Sequence, residues 1–125
     1  MGREIKFRGI RRETQEWIYG SLMNGDCDWE ISDHNDITFG RYDVVADSVG
    51  QFTGLKDKNA IEIYEGDILK TAYEKLMVVG WSVKFASFII QREGWAFSHY
   101  FGEACNPEDC VIIGNIYQNP ELLNI

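Results

Sequence analysis

Apolar and polar positions alternate at a period of two along most of the chain, so short strands with one covered and one wet face are expected throughout. In residues 3–10, Ile5, Phe7 and Gly9 fall on one side and Glu4, Lys6 and Arg8 on the other. A polar turn at 11–15 leads into a return strand at 16–23, with Trp17, Tyr19 and Ser21 opposed to Ile18, Gly20 and Leu22. The result is an N-terminal hairpin. Trp29 and Ile31 open a further short strand, and Thr38, Tyr42, Val44 and Val45 favour extended backbone.

Residues 50–70, GQFTGLKDKNAIEIYEGDILK, carry the densest turn chemistry. Gly50 and Gly54 inside a strand pattern predict a bend, and Asp57 and Asn59 predict a chain reversal, since both side chains cap local backbone. A strand follows at 60–64, with Ile61 and Ile63 expected inward and Glu62 and Tyr64 outward. Glu65, Gly66 and Asp67 form the next turn, with Asp67 expected to accept backbone N–H groups, and a strand at 68–73 follows. Further strands are read at 76–81, 87–92 and 111–113, around a turn at Glu93 and Gly94 and an alternation of Trp95, Phe97 and His99. A helical turn is predicted at 106–109, and Pro120 behind Asn119 starts a short C-terminal helix at 120–123. The expected core is Ile61, Ile63, Ile68, Val78, Phe88, Ile90, Ile112 and Ile116.

The strings REIKFRG, EWIYGSL, GQFTGLKDKN, IYEGDIL and IGNIYQNPELL, in that order, resemble the YopX-like proteins of bacterial prophages. The likeness runs from Arg3 to Leu123 around a variable stretch at 23–47. It implies a phage or mobile-element origin, a mainly β fold with a part like an SH3 barrel, and no catalytic residue to carry over. Ala60 departs from the pattern, which commonly has Gly after the Asn, and this disfavours a two-residue Asn-Gly hairpin. The aromatic-rich meander at 76–97 agrees with short, bent strands closing round a small core. The fold expected is mainly β: an N-terminal β-hairpin and variable region at 1–47, an SH3-like barrel-type region at 48–125, and a short C-terminal helix. The alternative is one compact domain, which suits 125 residues.

Charge changes the picture in one place. The chain has 12 basic and 20 acidic residues, a net −8 that repels a phosphate backbone. Yet Arg3, Lys6, Arg8, Arg11 and Arg12 stand against Glu4 alone in the first 12 residues, a local +4 that leaves −12 for the rest. This segment, with Trp17 and Tyr19, is the candidate interaction surface, set against the plainer reading of a solvated edge hairpin. Its opposite field favours docking of a second copy, so a salt-sensitive homo-oligomer is expected, with a host or phage protein as the other partner. Nucleic acid is disfavoured as a direct ligand. With no charged-then-apolar leader and no apolar run of membrane-spanning length, a cytoplasmic protein without a membrane partner is expected.

Candidate chemistry is sparse. Cys27, Cys105 and Cys110 with His34 and His99 suggest zinc, but the four residues between Cys105 and Cys110 exceed the usual knuckle, and reduced thiols are expected instead. Glu62, Glu65 and Asp67 could serve acid–base chemistry, but the turn around Gly66 gives them a structural role. No nucleophile motif, P-loop or GxGxxG occurs. No catalytic, cofactor-binding or metal-binding residue is assigned. Gly50, Gly54, Asp57, Asn59, Gly66 and Asp67 are assigned to turns. The leading expectation is a non-enzymatic phage or prophage accessory protein acting through protein contacts or self-association. The alternative is a nucleic-acid-related accessory factor, either a DNA-metabolism helper or an acidic DNA mimic.

Overall fold

The computed structural model describes residues 4–25, 29–33, 40–84, 86–91, 99–100 and 106–123. The chain divides into two compact units, Met1–Phe52 and Thr53–Ile125. Among the described residues the strands form antiparallel sheets and no closed barrel. The turn expected at Glu93 and Gly94 and the alternation at Trp95 and Phe97 lie outside the described residues, as do Arg3, Cys27, His34, Thr38 and Cys105.

In the first unit, β1 (Phe7–Ile10) pairs with β2 (Trp17–Asn24), which pairs with β3 (Trp29–Ser32), which pairs with β4 (Arg41–Asp43). The expected hairpin is present, closed by the Arg11 N–H donating to Glu16 O at 2.8 Å. Beyond β4 the chain returns to β1: Val45 N–H donates to Ile10 O at 2.9 Å and Arg12 N–H to Asp43 O at 3.0 Å. Ile31 and Val44 are fully buried there. On its other side β1 pairs with the start of β5 (Gly50–Lys56), Arg8 opposite Gly50 and Phe7 opposite Gln51.

That second neighbour corrects the wet face expected for residues 3–10. Arg8 is only 5% exposed: β1 is an interior strand, and the Trp17 ring of β2 lies against the Arg8 guanidinium at 4.2 Å. Ile5, expected inward, lies before β1 begins and is 62% exposed.

In the second unit the sheet order is β10 (His99–Tyr100), β9 (Ser87–Gln91), β8 (Leu76–Ser82), β7 (Asp67–Lys70), β11 (Val111–Asn115), and β6 (Glu62–Tyr64) pairs with β5. Ile63, Leu69, Met77, Val79, Ile90 and Cys110 make its core, with Leu55 and Ile112 packed against them. Cross-strand register explains the set, since Leu69 faces Met77 and Ile112, and Val79 faces Ile90. Of the expected core, Ile63, Ile68 and Ile90 are fully buried, while Val78, Phe88, Ile112 and Ile116 are half-buried. Met77 and Val79 replace Val78 as the inward residues of β8: an apolar run such as LMVV does not reveal which parity faces the core.

Ile63 is inward as expected, but Ile61 is 53% exposed and Tyr64 only 2%. The cause is the turn before them. Asp57 N–H donates to Ile61 O and Ala60 N–H to Asp57 O, with Ala60 at φ 62°, so three residues form the loop and the last takes the left-handed bulge position. Ile61 therefore lies outside β6, which begins at Glu62. Gly50 and Gly54, where a bend was expected, both sit within β5, and Gly54 takes φ 87° there. The strand expected to reach residue 73 ends at Lys70, where Thr71 caps a turn by accepting the N–H groups of Tyr73 and Lys75. The turn expected at 106–109 is a 3-10 turn, Pro107–Asp109, capped by the Asn106 side chain, and Pro120–Leu123 is likewise 3-10.

Candidate functional site

Among the described residues, the cations of the basic segment are divided between different aromatic partners. Strand parity places Lys6 and Arg8 on the face that carries Trp17 and Tyr19, with Arg8 opposite Tyr19 and Ile10 opposite Trp17. The Arg8 guanidinium lies 4.2 Å from the Trp17 ring centroid and the Lys6 ammonium 5.1 Å from that of Phe52. Both cations rest on aromatic faces, an arrangement that stabilises a cation more when it is shielded from water. Lys6 also pairs with Glu4 at 3.2 Å. Arg11 turns to the other side, 4.2 Å from the Tyr42 ring, with Glu13 at 3.9 Å, and Arg12 Nε donates to Val44 O at 3.4 Å. What remains in solvent on the Arg8 face is Tyr19, 46% exposed.

The turn residues converge on a different place. Asp57 is 4% exposed, and its carboxylate accepts three backbone N–H groups: Asn59 at 2.8 Å and Ile61 at 3.0 Å through Oδ1, and Ile112 at 3.0 Å through Oδ2. Beside it, Lys58 N–H donates to Cys110 O at 2.8 Å, so this turn covers the outer edge of β11 at its start. Asp67 accepts Tyr64 N–H at 2.8 Å, the backbone role expected of it. Gly66, at φ 91°, donates to Val79 O and accepts from Ile116 N–H, and a Cβ there would stand 2.7 Å from the Tyr117 ring. Asn115 accepts Tyr117 and Gln118 N–H groups through Oδ1, while its own N–H donates to Asn119 Oδ1.

Of the thiol and imidazole set, Cys110 is fully buried, with Sγ donating to Asn106 O at 3.4 Å. The described residues hold no group of three or more His, Cys, Asp or Glu placed to share a metal ion. No helix among them is long and apolar enough to cross a membrane.

One cleft of the second unit, ≈ 350 Å³, is lined by Lys58, Lys70, Thr71, Ala72, Glu74, Asp109 and Val111. Its walls are the β5–β6 turn, the β7–β8 turn and the Pro107–Asp109 turn with the strand ends beside them. The sequence reading missed it, because no period or motif spacing joins residues on three separate turns.

The chain matches the family described as YopX protein over residues 6–124. It belongs to the YopX family. The strings that first suggested this family are therefore the ones that hold Asp57, Gly66, Asp67 and Asn115 in their backbone hydrogen bonds. Their work in this YopX protein is to close turns and join β11 to its neighbours. Among solved structures, the crystal structure of protein EF1440 from Enterococcus faecalis is similar at 21% identity and a TM-score of 0.57, over 98% of this chain and 99% of that one. That likeness concerns the fold. The comparison with curated proteins gave no match.

Proposed function

We propose that the protein is a non-enzymatic accessory protein of phage or prophage type, working in the cytoplasm through protein contacts, with a second copy of the chain as its first partner. The observation that supports this reading is the Arg8 face of the first hairpin. Arg8 is held at 5% exposure over the Trp17 ring and directly across the sheet from a half-exposed Tyr19. Arginine, tryptophan and tyrosine are the residues that dominate interface energetics, and a face already locked by stacking loses little freedom on docking. The net charge of −8 favours a protein partner over a phosphate backbone. The meander of β7, β8 and β9 supports reading residues 48–125 as a part of SH3-like kind, a scaffold that serves many binding functions.

Because Lys6, Arg8 and Arg11 already face aromatic rings or carboxylates of their own unit, association is assigned to Tyr19 and Trp17 rather than to free charge, and little salt dependence is expected. Sedimentation velocity across a concentration series checks this. The wild type should form an oligomer that persists in 0.5 M salt, and Tyr19→Ala should shift it toward monomer at least tenfold in concentration. A wild type that stays monomeric at millimolar concentration, or a Tyr19→Ala variant that associates equally well, would falsify the reading.

A further inference from the structure

The cleft of the second unit has donors that its own chain leaves unused. Thr71 lines it and is 8% exposed, and its hydroxyl oxygen accepts the N–H groups of Tyr73 at 3.3 Å and Lys75 at 3.1 Å. A hydroxyl has two lone pairs and one proton, so with both lone pairs engaged Thr71 has only a donor left to offer. None of the hydrogen bonds among the described residues takes that proton. Lys58 and Lys70 stand on the same walls and add two ammonium groups. Lys70 is held only loosely, 3.9 Å from a Glu74 carboxylate whose side chain is 80% exposed, a solvent-screened pair that an incoming anion can replace at little cost.

Backbone strain marks the same walls. Ala60 ends the β5–β6 turn at φ 62° and Glu74 sits in the β7–β8 turn at φ 61°, both non-glycine residues in the left-handed region. Such conformations gather where loops are held for binding. The volume, ≈ 350 Å³, falls within the range of small-molecule sites.

We propose that this cleft binds a small oxyanion-bearing molecule, with Lys58, Lys70 and the Thr71 hydroxyl donating to a phosphate or carboxylate group. Glu74 and Asp109 face the same space and limit what fits. Two carboxylates beside two ammonium groups accept one compact anion and repel a polyphosphate or a nucleic-acid strand. They also offer acceptors for hydroxyl groups on the rest of the molecule. The reaction class is binding alone, and the residues of the site belong to the second unit, whereas Tyr19 belongs to the first.

Amide chemical shifts of the full chain, recorded by NMR during titration with inorganic phosphate and separately with acetate at constant ionic strength, test this. Saturable shifts are expected at Lys58, Lys70, Thr71 and Val111. Lys70→Met should weaken binding at least tenfold without changing the melting temperature, and Lys58→Met should do likewise. Thr71→Ser, which keeps the hydroxyl, should bind as wild type, whereas Thr71→Val should not. Saturation by phosphate alone identifies a phosphate ligand and saturation by acetate alone a carboxylate. Linear, non-saturating shifts with both anions, or saturation that survives both lysine substitutions, would overturn the proposal.

Discussion

The carboxylate of Asp57 accepts the backbone N–H of Ile112 at 3.0 Å, across 55 residues of chain. With its other oxygen Asp57 closes its own turn, so one buried side chain couples a local reversal to a distant strand. Hydrogen bonds to a charged acceptor are about twice as strong as neutral ones, and this one satisfies the Ile112 N–H at the β11 edge.

Asp57→Ala should therefore lower stability by about 2–4 kcal/mol, with buried donors left unpaired as the main cost. Asp57→Asn keeps one acceptor oxygen and should fall between that variant and wild type. Urea denaturation provides the check, and an Asp57→Ala midpoint equal to wild type would show that the carboxylate contributes nothing to the fold.

Ile63 and Ile61 lie two residues apart yet differ completely in burial, 0% against 53% exposed. Ile63→Ala should cost about 2–5 kcal/mol, and Ile61→Ala less than about 0.5 kcal/mol. Equal losses in thermal melts would mean that the bulge at Ala60 has been misplaced and that the regular alternation holds.

Ala60 occupies a left-handed conformation, φ 62°, that glycine adopts freely. Ala60→Gly should stabilise the chain by about 0.5–1 kcal/mol, relief of backbone strain outweighing the added freedom of the unfolded chain. A lower melting temperature for this variant would contradict the turn geometry.

Gly66 and Gly54 share positive φ, 91° and 87°, but only at Gly66 would a methyl group meet a neighbour, the Tyr117 ring at 2.7 Å. Gly54→Ala should cost about 1 kcal/mol from backbone strain, and Gly66→Ala at least about 2 kcal/mol because the ring must also move. Equal costs by chemical denaturation would remove the ring from the account.

Much of the architecture was legible in the sequence, because strand period and turn chemistry are local properties. The first hairpin, the Asp67 turn, the turn at 106–109 and the turn begun by Pro120 each depend on residues within a few positions of one another. The family resemblance was legible for a similar reason, since the order of such local strings is itself sequence information.

Tertiary structure decided which face each strand buries and which separated residues meet. Arg8 reads as a solvated cation until β2 pairs with β1 and sets the Trp17 ring against it, and Ile61 reads as core until the three-residue turn ending at Ala60 leaves it outside β6. The cleft was hidden for the same cause: Lys58, Thr71 and Asp109 belong to three turns that only the paired strands bring to common walls. A period of two records that a strand has two faces, but which one is covered depends on neighbours contributed by distant parts of the chain.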